Sequence, residues 1–231
     1  MNAHWAVGAS WALAFVAGCY SPPVEPLDPT WADVAPILRG ECDSCHGWTA
    51  PETGSGYRLD FFDVTMDVCG HAAYALDNGL LLAGSGLAVA NIKKDVVPQG
   101  GAAWARMPPL PSPKLPSWER DTIERWTNKP EKGLAPTSNR PPTLELSNYP
   151  DKANQSLGFT AVLEDPDGDS ALGVIEANGL AFLMNRPGSF AVHFDSSSWP
   201  AGSVPVTAVV CDGWVNATYQ LDAVQISHDG H

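Results

Sequence analysis

Within five residues, Cys42-Asp43-Ser44-Cys45-His46, the chain sets two thiols two residues apart and puts an imidazole directly after the second. That spacing restricts what can be built around it. Two such thiols reach the two vinyl groups of a haem and form thioether links, and the next histidine reaches the iron as axial ligand, so C-x-x-C-H reads as the attachment motif of a c-type haem. A bare C-x-x-C also serves as a redox dithiol or as half of a zinc site, and zinc would need further ligands from elsewhere in the chain. The adjoining His46 favours haem.

The N-terminus points to export, which haem attachment of this kind requires. Residues 1 to 19 contain no Asp, Glu, Lys or Arg, and the apolar run from Trp5 to Ala17 is too short to span a bilayer. It ends in Val16-Ala17-Gly18-Cys19. This resembles a bacterial lipobox, with Cys19 the lipidated first residue of the mature protein, although His4 stands where a basic leader would carry Lys or Arg. A plain secretory signal is the alternative, and it also exports the chain. The expected location is the bacterial cell envelope, membrane-anchored on the periplasmic or cell-surface side.

Of five cysteines, one is assigned to lipid and two to haem, leaving Cys69 and Cys211. In an oxidising compartment two such thiols either pair or stay as buried, inert side chains. A Cys69–Cys211 bridge would join the two halves of the chain and contribute roughly 5 kcal/mol on a chain-entropy model.

The 231 residues make room for two modest domains, and proline-rich stretches mark the borders. The sequence divides into a signal peptide (1–19), a linker (20–29), a haem domain (30–130), a second linker (131–140), a β domain (141–227) and a tail (228–231). The formal charge of −13 is uneven: net −5 from Tyr20 to Thr137 and net −8 from Ser138 onward. Neither half suits nucleic acid. An acidic surface keeps a protein soluble and steers a basic redox partner.

In the first domain, Trp31, Val34, Ile37 and Leu38 recur at helical spacing after Asp28-Pro29-Thr30, so a helix delivers the motif. Ser117 opens a second helix through Trp118, Ile123 and Trp126, stopped before Pro130. The stretch from Gly47 to Ala105 reads as loop-rich, with one helix near Met66 to Leu82. Three places carry a resemblance: Val34-Ala35-Pro36-Ile37-Leu38 leading into Cys42, Cys45, His46 and Gly47; Tyr57-Arg58-Leu59-Asp60; and Arg106-Met107-Pro108-Pro109. Together they resemble a class I bacterial cytochrome c over roughly residues 30 to 130.

The resemblance implies a small α-helical cytochrome c fold around one covalent haem c, with Met107 as the second axial ligand opposite His46. A thioether is a soft, neutral ligand suited to haem iron, and Met/His ligation raises the reduction potential. His71 and Met66 are rivals on the middle helix, and an open sixth position is a further alternative. Trp48, Tyr57 and Trp104 are candidate haem-lining residues, and Arg58 and Arg106 candidate propionate partners.

The second domain reads as β. Leu157, Phe159, Ala161 and Leu163 alternate, as do Phe190 to Phe194, Val204 to Ala208 and Val215 to Leu221. With Thr143 to Leu146, Leu172 to Glu176 and Leu180 to Met184 this gives about seven strands, enough for an all-β sandwich, and Asp212-Gly213 marks a hairpin. Asn139-Arg140-Pro141-Pro142 with Asp165-Pro166-Asp167-Gly168-Asp169 resembles bacterial Ig-like and cadherin-like modules. The carboxylates of Asp165, Asp167 and Asp169 could converge on calcium; a solvated turn is the preferred reading, because no distal bidentate Glu follows.

The expected fold class is therefore two domains, a small α-helical cytochrome c fold and then an all-β Ig-like sandwich. The expected function is a carrier of single electrons rather than an enzyme, serving redox partner proteins of the cell envelope and held to the membrane through its lipid. The alternatives are a surface adhesion lipoprotein using the β domain, or a haem peroxidase if the sixth position is open.

Overall fold

The computed structural model describes residues 26–47, 56–76, 80–96 and 115–228. Helix α1 (Trp31–His46) starts where the backbone N–H and hydroxyl of Thr30 both meet the Asp33 carboxylate, at 2.8 and 3.2 Å, closing the first turn. Its apolar stripe is buried as the periodicity requires: Trp31, Val34, Ile37 and Leu38 all lie in the core. Helix α4 (Ser117–Asn128) meets it through Trp126, whose ring centroid is 5.9 Å from that of Trp31. Pro116 precedes the first turn of α4, so Ser117 is the first helical residue rather than the cap.

Between them, strands β1 (Tyr57–Arg58) and β2 (Leu81–Leu82) form a short parallel pair. The helix expected over Met66 to Leu82 is replaced by a one-turn α2 (Met66–Cys69) and a 3-10 helix (Gly70–Ala75). Gly70 sits at φ +52°, where an α-helix cannot continue. Helix α3 (Gly86–Asp95) is an addition to the sequence reading; Ser85 caps it by accepting the N–H of Ala88 at 3.2 Å.

The C-terminal part is a sandwich. Strands β3 (Thr143–Ser147), β5 (Ser156–Glu164) and β8 (Gly188–Asp195) form one antiparallel sheet in the order β3-β5-β8. The other runs β4-β10-β9-β6-β7, from β4 (Lys152–Ala153), β6 (Leu172–Ala177), β7 (Leu180–Met184), β9 (Gly202–Cys211) and β10 (Asn216–Ile226). The alternating residues of β5 predicted to face inward, Leu157, Phe159, Ala161 and Leu163, are all in the core shared with Ile175, Val206 and Val210. The predicted Asp212-Gly213 turn joins β9 to β10, with the Asp212 carboxylate accepting the N–H groups of Trp214 and Val215 at 2.7 and 2.8 Å.

The expectation that the first part is a separate, small α-helical cytochrome c fold is overturned. The chain is mostly β, and the described residues contain no compact helical domain of that kind. The helices divide between two clusters. One, with α1, α3 and α4, is filled by large side chains of its own, among them Trp31, Phe62 and Trp126. The other joins Phe61, Cys69, Ala72 and Leu76 to Leu172, Val174 and Cys211 of the sheet. The apolar side chains of these helices are thus committed to one another or to the outer face of the five-stranded sheet. No group of three or more His, Cys, Asp or Glu able to hold a metal ion occurs among the described residues.

The stretch 131–140, read as an extended linker, is bonded to both sides. The Glu131 carbonyl accepts from the Trp31 N–H and the Trp126 indole, while Asn139 donates to Asp212 at 2.8 Å. Lys132 pairs with Asp63. A disulfide between Cys69 and Cys211, with Cα atoms 5.2 Å apart, ties α2 to β9 across 142 residues. Both half-cystines are fully buried. Replacing the pair by Ala should lower stability by several kcal/mol, with about 5 as the chain-entropy figure. Calorimetry of the double variant checks this, and a melting temperature unchanged from wild type would remove the bridge as a structural staple.

Candidate functional site

The last turn of α1 presents the motif. Positions i, i+3 and i+4 lie on one helix face, so Cys42, Cys45 and His46 share a face, graded by depth: Cys42 is buried against the helical cluster, His46 is half-buried and Cys45 is exposed. Both remain thiols. The backbone carbonyl of His46 accepts the Leu59 N–H at 2.8 Å, which fastens the end of α1 to the residue after β1.

The His46 ring lies edge-on to Tyr57, with centroids 5.8 Å apart and planes at 89°. Its Nδ1 is buried without a hydrogen-bond partner among the described residues. Burial lowers the pKa of the imidazole, which favours the neutral form, the one that can ligate a metal. The Tyr57 hydroxyl in turn receives a hydrogen bond from the Asn91 side chain of α3. A covalent haem needs two thiols and one neutral imidazole from this region, and the residues present fit that requirement.

Other predicted site residues are placed elsewhere. Arg58 is buried and committed to Asp60 by a bidentate pair, Nε to Oδ1 at 2.8 Å and Nη2 to Oδ2 at 2.7 Å, and it donates to the Asn185 carbonyl at 3.1 Å. Asp60 Oδ2 also accepts the Ser170 hydroxyl at 2.7 Å. Arg58 is therefore a pin between helical and β parts rather than a propionate partner. His71, the rival sixth ligand, bonds Glu176 of β6 through Nδ1 at 2.6 Å on the outer face of the sheet. Met66 starts α2, half exposed. Cys19, Trp48, Trp104, Arg106 and Met107 lie outside the described residues.

The three aspartates of the acidic turn do not converge as calcium ligands would. Asp165 Oδ1 accepts the N–H groups of Asp167 and Asp169 at 2.9 and 3.0 Å, an ordinary Asx turn. Asp167 is held by Arg140, whose backbone N–H and guanidinium donate at 2.6, 2.8 and 2.9 Å and lower its pKa. Asp169 pairs with Arg39 of α1. Sequence reasoning missed Arg39 and Asn91 because their partners are more than thirty residues away, beyond any local pattern; Ser85 before Leu87, Ala88 and Val89 was the readable sign of the helix that carries Asn91.

Asp165 Oδ2 is buried without a hydrogen-bond partner among the described residues. Burial, with the charges of Asp169 and Asp212, pushes its pKa from 3.8 up to about 6 against the two backbone hydrogen bonds that lower it. Well below pH 4 the group is neutral folded and unfolded and contributes no pH dependence. Between about pH 4 and 6 the unfolded chain releases the proton that the folded chain keeps, so stability falls as pH rises and the deficit is complete above about 6. Asp165→Asn keeps an acceptor for the two N–H groups and removes the charge. Its melting temperature should exceed wild type at about pH 7.5, and the gain should vanish near pH 4. Calorimetry at the two pH values decides it, and an equal gain at both would exclude ionisation as the cause.

No family model and no curated protein matches the chain. Solved structures similar to it include the endo-beta-1,4-mannanase of Thermotoga petrophila, 13% identical over 49% of this chain with a TM-score of 0.34, of which the match spans only 25%. A PKD domain of Vibrio anguillarum Epp is 18% identical over 39% of this chain and 100% of its own length, with a TM-score of 0.30. A CARDB domain from Pyrococcus furiosus is 13% identical over 41% of this chain and 95% of its own, with a TM-score of 0.28. At these scores the likenesses add nothing to what the strands themselves establish.

Proposed function

We propose that the chain is an exported, lipid-anchored carrier of single electrons. Cys42 and Cys45 would hold a covalent haem c, and His46 and Met107 would ligate its iron. The observation that carries this reading is the end of α1: two thiols of graded depth, followed by a half-buried imidazole whose buried Nδ1 has no hydrogen-bond partner among the described residues. Attachment chemistry depends on those five residues and their helix end, not on a free-standing helical domain. When bound, haem supplies a one-electron iron couple.

The protein's own residues do the rest. Cys42 is held against the Trp31 cluster, so the attached side of the group would be fixed to the core, whereas exposed Cys45 marks the open side. Burial keeps His46 neutral, as a ligand must be. The net charge of −13 steers basic partners toward the surface. Cys19, at the end of an uncharged leader, would hold the carrier at a membrane.

Protein matured in a host competent for cytochrome c assembly should give an alkaline pyridine haemochrome spectrum of covalent haem, close to one per chain. Cys42→Ala combined with Cys45→Ala should abolish it. Wild-type protein without covalent haem would sink the proposal. Oxidised protein should also show the weak far-red band of methionine-ligated haem, and Met107→Ala should remove it; a band that persists in the variant would exclude Met107 as ligand.

A further inference from the structure

A ligating histidine usually donates its second ring N–H to a carbonyl or carboxylate, and that bond fixes the rotation of the ring. His46 has no such bond at Nδ1 among the described residues, although the atom is buried. The neighbour in place is Tyr57, whose ring meets that of His46 at 89° with centroids 5.8 Å apart. In that edge-on arrangement, rotating either ring out of its plane loses the favourable contact between edge and face.

Tyr57 can serve as a stop only if it is itself immobile, and three elements hold it. Its backbone pairs with Leu81 in the parallel β1–β2 ladder, and the adjoining Gly56 carbonyl accepts the Leu81 N–H at 2.8 Å. Two residues on, the Leu59 N–H donates to the carbonyl of His46 itself at 2.8 Å, so the distance between the two rings is set by backbone. The hydroxyl is held by Asn91, which stands on α3 between the buried Val89 and Ile92. The cap at Ser85 stabilises that helix.

We propose that Tyr57, held by Asn91, is the positioning residue of the His46 imidazole, fixing its rotation in place of the usual hydrogen bond at Nδ1. The proposal rests on His46 as the iron ligand. Two consequences follow. The imidazole lacks the basicity that a hydrogen-bonded partner at Nδ1 would lend it, which makes it a weaker donor to iron and favours a higher reduction potential. Its plane is set by a contact that reaches α3, so a change at Asn91 is transmitted to the ligand through a residue that never touches it.

Tyr57→Leu removes the ring, Asn91→Ala removes only the tether, and Val89→Ala controls for general loosening of α3. In the haem-free full-length chain, NMR should show a single His46 ring orientation with cross-relaxation to the Tyr57 ring protons; both test variants should lose that single orientation, and the control should keep it. In the haem-loaded protein the same two variants should alter the spread of the haem methyl shifts and move the midpoint potential. An unchanged His46 ring signature in both Tyr57→Leu and Asn91→Ala overturns the proposal, as does an equal effect of Val89→Ala. Absence of covalent haem, by contrast, defeats the functional reading alone, since the haem-free measurement still reports whether Tyr57 and Asn91 hold the ring.

Discussion

Strand β6 is buried on both faces, and much of the architecture follows from the need to cover it. An antiparallel sheet normally leaves one face to water. Here Ile175 and Ala177 point into the sandwich core, while Leu172 and Val174 lie under Phe61, Cys69, Ala72 and Leu76. The cover is contributed by the helical part, so the two parts of the chain share apolar surface and cannot separate without exposing it. The Cys69–Cys211 bond lies in the middle of that surface. Polar contacts ring it: Arg58 with Asp60, Asp60 with Ser170, Arg58 with the Asn185 carbonyl and His71 with Glu176. The Arg58–Asp60 pair, with Asp60 wholly buried, carries a large desolvation cost that its two parallel bonds and the Ser170 hydroxyl offset. Its contribution is therefore geometric more than energetic: Arg58 makes three bonds in fixed directions to two groups, the Asp60 carboxylate and the Asn185 carbonyl, which ties β1 to the end of β7.

That shared face also explains which parts of the molecule could be read from sequence. Strands β5, β8 and β9 were legible because one face is wet and one dry, so residues such as Leu157, Phe159 and Leu163 alternate with exposed ones. Helix α1 was legible for the equivalent reason at a period of 3.6, with Trp31, Val34 and Leu38 on the dry stripe. Leu172 to Glu176 was legible as a strand but not as a doubly buried one, because a run of apolar residues does not say what lies on either side. In the helical part Trp126, Phe62 and Ile123 fill their own cluster with ring against ring, and what the sequence does not show is that its other apolar residues cover the sheet. In the acidic turn, Asp167 and Asp169 are engaged by Arg140 and Arg39, each too distant in sequence for a local pattern to show the pairing.

For the proposed carrier, this fusion changes what the β part does. A loosely tethered module would leave its field free to wander relative to the haem motif. Here Arg39, one turn before Cys42 on the same helix, is paired with Asp169 in the loop after β5, and the carbonyl of His46 is bonded to Leu59. The residues from Ser138 onward carry net −8, and the charge of those described is thereby held in a fixed orientation to the last turn of α1. Steering works through the direction of the field as well as its size, since encounter complexes form in the orientations it favours. In such a carrier, a rigid acidic scaffold joined to the helix that bears the motif would bias a basic partner's approach over many encounters, which a flexible acidic appendage would average away. The same rigidity reaches the ligand: β1 and α3, which hold Tyr57 against His46, belong to the cluster that packs on α1, so the ligand and the charge that would guide a partner to it are placed by one continuous set of contacts.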